Sequence, residues 1–156
     1  LSDRRNHLKE LYSIVENKSI GTIGYYVGGM KPDDLRDTTT KQIILGTFSM
    51  ASEGMDIPKL NTIILASPKS DVVQSVGRIM REKADKREFH PLIIDIRDSH
   101  PNLKVFEKQS DKRITFYKKQ NYDIHLHNLD GSVEKIEKRK KKKKQEYFET
   151  NEYLLD

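Results

Sequence analysis

Cysteine is absent from this 156-residue chain, which excludes disulfides, thiolate metal sites and a cysteine nucleophile. No apolar run approaches the roughly 18 residues that a membrane span needs, and no secretory leader is recognisable. A soluble, intracellular protein with no membrane partner is therefore expected. No G-x-x-x-x-G-K-[ST] loop occurs, nor does an acidic pair follow a strand as a Walker B site requires, so nothing here cradles nucleotide phosphates unaided. Hydrophobic residues make up only 35%, which is low but workable for the α/β core of about one domain. A surplus of positive charge is missing too, despite the formal +5. The run 138–144 supplies seven positive charges, and without it the remainder carries a formal −2. Whatever the folded part binds, it binds with local groups.

What is present is most concentrated in Gln74-Ser-Val-Gly-Arg-Ile-Met-Arg81. On a helix at roughly 100° per residue, Gln74, Gly77, Arg78 and Arg81 gather on one face, with Val72, Val73, Val76 and Met80 on the other. One face would pack on a core while the other offers two forked, permanent cations to an anion. A plain amphipathic helix with solvated arginines is the competing reading. Upstream, Gln42-Ile-Ile-Leu-Gly-Thr47 is long enough for a buried strand and too short for a helix. It runs into Phe48 to Pro58, read as a loop of small and polar residues. Strands follow at Thr62 to Ala66 and Leu92 to Ile96. In an open parallel sheet, loops leaving the carboxyl ends of strands line the ligand crevice. Thr47 to Asp56 should line it, close to the arginine helix.

Gly46-Thr47, then Glu53-Gly-Met-Asp-Ile-Pro58, and one strand later Gln74-x-x-Gly-Arg-x-x-Arg81 resemble motifs V and VI in the second RecA-like lobe of superfamily 2 helicases and translocases. Leu1-Ser-Asp-Arg-Arg-Asn-His-Leu8 resembles the end of motif IV, and Tyr26-Val-Gly-Gly-Met30 the glycine turn after the next strand. The resemblance covers residues 1–121 and implies an α/β, three-layer RecA-like fold with a mostly parallel central sheet. It also places the strand that precedes the first helix upstream of Leu1, in a longer protein. Where RNA-unwinding DEAD-box proteins carry an arginine and a histidine, this chain has Glu53 and Gln74, as in DNA-directed branches. The segment Phe106 to Tyr117 is similar to the tail of viral transcription-release and phage branch-migration helicases; restriction-enzyme motor subunits share the core motifs.

The activity the resemblance implies is ATP hydrolysis coupled to movement on DNA, with RNA also open, shared with a first RecA-like lobe that holds Walker A, Walker B and most of the Mg2+ ligation. In that scheme Arg81 is the arginine finger on the γ-phosphate, with Arg78 beside it and Gln74 orienting groups nearby. Asp56 accepts from the nucleotide ribose, as a carboxylate can from two hydroxyls, and Gly54 lets the backbone approach. Local turn formation is the plainer reading of Asp56. Thr47, Ser49, Gly28, Gly29 and Arg4 are assigned to the nucleic-acid backbone, since short hydroxyls and open amides suit phosphate oxygens. The glycines could equally serve a turn at positive φ. If the chain is viral, nucleus, host cytoplasm and virion are the expected sites.

Elsewhere the expectations are simpler. Asp3 should cap a helix to Val15 carrying Leu8, Leu11 and Ile14, and Thr22 to Val27 should be a strand. Pro32 to Asp37 fits a helical start, and His100 to Asn121 a long helix or two halves. Residues 122–137 suggest a small hairpin extension, on which His125 and His127 mark a half-exposed face rather than a metal site. Residues 138–156 form a lysine-rich stretch expected to be disordered and to add unspecific nucleic-acid contact. A non-catalytic nucleic-acid-binding module working through that tail is the alternative function; it leaves the grouping of Gln74, Arg78, Arg81 and Asp56 unexplained.

Overall fold

In the computed structural model, residues 1–98 and 100–137 are described; the lysine run and the tail expected at 138–156 lie outside them. By internal packing the chain divides into Leu1–Phe116 and Tyr117–Asp156. The first unit begins with α1 (Arg5–Asn17), β1 (Ile23–Tyr26), α2 (Pro32–Thr38), β2 (Ile43–Gly46) and α3 (Phe48–Glu53). It continues through β3 (Thr62–Leu65), α4 (Val73–Arg78), a 3-10 turn (Ala84–Lys86), β4 (Leu92–Asp95) and most of α5 (Lys104–Lys119). Strand and helix alternate, as an α/β fold requires.

The strands pair in parallel, β1 with β2 in the register Ile23↔Ile43 and β3 with β4 in the register Thr62↔Leu92. Leu1 and Ser2 bridge the two pairs at their carboxyl ends. The Leu1 amino group donates to Ile64 O at 2.6 Å, Ala66 N–H to Leu1 O at 2.9 Å, and Ser2 N–H to Gly46 O at 3.1 Å. A cavity of about 580 Å³ lies alongside, reached by Ile44 and Ile64.

Burial explains which strand residues matter. Leu45, Ile63, Leu65, Phe48, Ala51, Met55, Val72, Val76 and Ile79 are all buried, and each large member contributes about 1.5–3 kcal/mol relative to exposure. β3, read from sequence as a buried strand, buries Ile63 and Leu65 on one face only; Ile64 on its other face is exposed, as are Leu92 and Ile94 of β4. The turn after β1 needs Gly29 at φ +85°, a conformation that costs other residues a steric penalty.

Several helix expectations need correction. α1 has no side-chain cap; Asp3 is drawn instead into an ion pair with Lys69 at 3.0 Å. Ile14 on α1 is exposed, so the buried stripe is narrower than the leucine spacing suggested. The stretch after β2 is not all loop, for Thr47 Oγ1 accepts from Met50 N–H and starts α3. α4 stops at Arg78, so Arg81 is not on a helix and the heptad geometry does not place it. Val73 is exposed, and Ser75 and Ile79 take its expected share of the buried face.

α5 is one unbroken helix. Arg113, 2% exposed, donates from Nε at 2.8 Å and Nη2 at 2.7 Å to the Asp95 carboxylate at the end of β4. In the second unit β5 (Ile124–His127) and β6 (Val133–Ile136) form an antiparallel hairpin, with Gly131 at φ +84° in its turn.

Candidate functional site

The site begins where β2 ends. Thr47 sits just past β2 and spends its hydroxyl on starting α3, while Ser49 Oγ lies 3.3 Å from Thr47 Oγ1. Phe48 and Ala51 are buried, which fixes the helix against the core and leaves its end at Gly54. The carbonyl of Gly54 accepts from Tyr26 Oη at 3.1 Å, so a residue of β1 holds the loop that follows. Met55 is buried and Asp56 exposed, the consequence of a chain anchored on one side and open on the other.

α4 is tied to α3 in two places. Ser75, buried, shares a hydrogen bond with Ser52 at 3.1 Å, and the Arg78 guanidinium donates to the Ser52 carbonyl. Beyond the helix the chain turns, and Arg81 forms an ion pair with Asp56. Arg78, Arg81, Asp56 and Gly54 are thereby brought to one edge of the molecule, on the loop and helix leaving β2 and β3. An arginine and a carboxylate facing solvent beside a glycine can meet a group that is anionic at one end and hydroxylated at the other.

The other residues singled out are distributed. Gln74 and Ser49 share a shallow cavity of about 230 Å³ with Asp3, Phe48, Lys69 and Asp71. Lys69 Nζ lies 5.6 Å from the Phe48 ring centroid. Gly28 is engaged through its carbonyl, which accepts from Arg5 at 2.6 Å, and Gly29 is the positive-φ member of the turn. Arg4 opens onto a separate concavity of about 780 Å³ with Arg5, His7, Ser67 and Asp98. Thr47 is committed to its helix cap as well as exposed to the neighbouring serine.

Four residues were not singled out from sequence. Tyr26 could have been, because it precedes a glycine turn on a strand whose alternate residues are buried. Ser52 and Ser75 carried no signal, since a serine pair between two short helices has no sequence period. Arg87 donates from Nε to Glu82 O and from Nη2 to Met80 O, each at 2.7 Å, a clamp that appears only once the loop is folded. No group of three or more His, Asp or Glu residues that could hold a metal ion occurs among the described residues.

Comparison with known proteins gives the geometry a context. No family model matches the chain. The chain is 40% identical over 156 residues to "Putative ATP-dependent RNA helicase L396" of Acanthamoeba polyphaga mimivirus, an alignment covering 99% of this chain and 28% of that protein. It is 36% identical over 88 residues to "Uncharacterized protein 108L" of Invertebrate iridescent virus 3, covering 51% of this chain and 81% of that one. Among solved structures, the C-terminal part of the Fun30 ATPase domain superposes with a TM-score of 0.50 at 9% identity, covering 78% of this chain and 47% of that chain. At that identity the likeness is one of fold. The chain thus spans little more than a quarter of the mimivirus relative.

Proposed function

We propose, from its membership of the family of those viral proteins and its RecA-like fold, that this chain is the second motor lobe of an ATP-dependent helicase or translocase. Its substrate, ATP, would be held mainly by a first RecA-like lobe, which would also supply Walker A, Walker B and the ligands of Mg2+. This lobe contributes the groups that close the site from the other side. Arg81 is the finger that neutralises charge as the γ-phosphoryl group departs, Arg78 its neighbour, and Gln74 an orienting amide. Asp56 takes the ribose hydroxyls and Gly54 leaves room for the sugar. Arg4, Gly28, Gly29, Thr47 and Ser49 follow the nucleic-acid backbone and position it without reading sequence.

The observation that carries this reading is the pairing of Arg81 with Asp56. A cation suited to phosphate and a carboxylate suited to ribose come from separate segments and meet at one solvent-facing edge. Glu53 and Gln74 argue for DNA as the track, while the name of the mimivirus relative specifies RNA for that protein. The test is ATP hydrolysis by the full-length protein with single- and double-stranded DNA and RNA. Stimulation by at least one of them is expected, while this chain alone should show no turnover. Hydrolysis by the isolated chain, or none by the full protein with any nucleic acid, would overturn the proposal.

A further inference from the structure

The residue assigned to the departing phosphate is not on a regular element. α4 ends at Arg78, the last closures are Ile79 N–H to Val76 O and Met80 N–H to Gly77 O, each at 3.2 Å, and Arg81 then lies in a loop running to the 3-10 turn at Ala84–Lys86. Such a loop has few intrinsic restraints, whereas transition-state stabilisation demands a charge held in place before the reaction. The exposed ion pair with Asp56 engages the guanidinium itself, and the backbone that carries it needs a restraint of its own.

Arg87 is placed to do so. Its guanidinium donates from one edge, through Nε and Nη2, to the carbonyls of Glu82 and Met80 at 2.7 Å each. Those carbonyls belong to the residues on either side of Arg81. A planar fork that grips the backbone before and after one residue fixes the direction in which that residue's side chain leaves the chain. Arg87 is only half-buried, and two of its donors are spent on the loop, so it is poorly suited to being a second finger. The alternative is a loop staple with no bearing on chemistry, and the arrangement of both bonds around Arg81 argues against it.

We propose that Arg87 is a positioning residue for Arg81, holding the loop Ile79–Glu82 so that the finger is aimed before nucleotide arrives. This rests on the reading of Arg81 given above. Lysine cannot replace it, because an ammonium on a flexible stem lacks the fork that spans two carbonyls. The same logic predicts that Arg87 matters only while Arg81 is present, since residues acting as a unit are non-additive in their effects.

The test uses the full-length protein with four forms: wild type, Arg81→Ala, Arg87→Lys and the double variant. Arg87→Lys should lower kcat for nucleic-acid-stimulated ATP hydrolysis at least tenfold while KM for ATP, nucleic-acid affinity and the thermal midpoint stay near wild type. Added to Arg81→Ala, it should lower kcat no further. An unchanged kcat in Arg87→Lys, a loss that recovers on cooling in step with the folded fraction, or a full additional loss in the double variant would each overturn the proposal. Failure of the finger reading is distinct: Arg81→Ala would then leave hydrolysis intact.

Discussion

Arg81 and Asp56 are ion-paired although twenty-five residues separate them in sequence. Both side chains face water, Arg81 at 40% exposure and Asp56 at 75%. Exposed pairs of this kind contribute at most about 1 kcal/mol to stability, so the fold does not depend on them.

Arg81→Ala should therefore move the thermal midpoint by no more than a few degrees. ATP hydrolysis by the full-length protein should nonetheless fall by about a thousandfold or more, the usual worth of an arginine finger. Asp56→Asn should act on binding instead, raising KM for ATP roughly tenfold through loss of a charge-assisted hydrogen bond. Steady-state kinetics beside thermal melts separate these outcomes; a joint collapse of stability and activity in Arg81→Ala would assign the arginine to the fold.

Tyr26→Phe removes one hydroxyl and with it the bond to Gly54 O. The ring is buried among Ala51 and Met55 and phenylalanine keeps that packing, so the stability loss should be about 1 kcal/mol. The loop carrying Asp56 loses its tether to β1. A rise in KM for ATP with little change in kcat is expected from kinetics of the full-length variant, together with faster hydrogen exchange at the Gly54 and Asp56 amides.

How much of this could be read from the chain depends on the range of the forces involved. β2, β3 and β4 were legible because Ile43-Ile-Leu, Thr62-Ile-Ile-Leu and Leu92-Ile-Ile are β-branched runs of strand length between turn signals. α3 was not, because Phe48 to Glu53 has no period of its own and becomes helical through the Thr47 cap and the burial of Phe48 and Ala51. Arg78 and Arg81 were found by their spacing, yet the spacing misled about the geometry, since the helix ends at Arg78. Arg81 meets Asp56 in the loop beyond the end of α4, a placement that no local pattern announces. Asp3, expected to cap α1, answers to Lys69, sixty-six residues away.

The Asp95–Arg113 pair is another long-range feature, and its burial makes it a strong structural prediction. Arg113 is 2% exposed and fully forked onto Asp95, with a further bond to the Lys69 carbonyl. Removing one partner strips a buried charge of its ion-pair counterpart, which costs about 3–5 kcal/mol. Asp95→Asn and Arg113→Met should each destabilise strongly in urea denaturation, whereas the double change Asp95→Leu with Arg113→Met should recover much of the loss. A double variant as weak as the worse single would show that packing, not charge, sets the requirement.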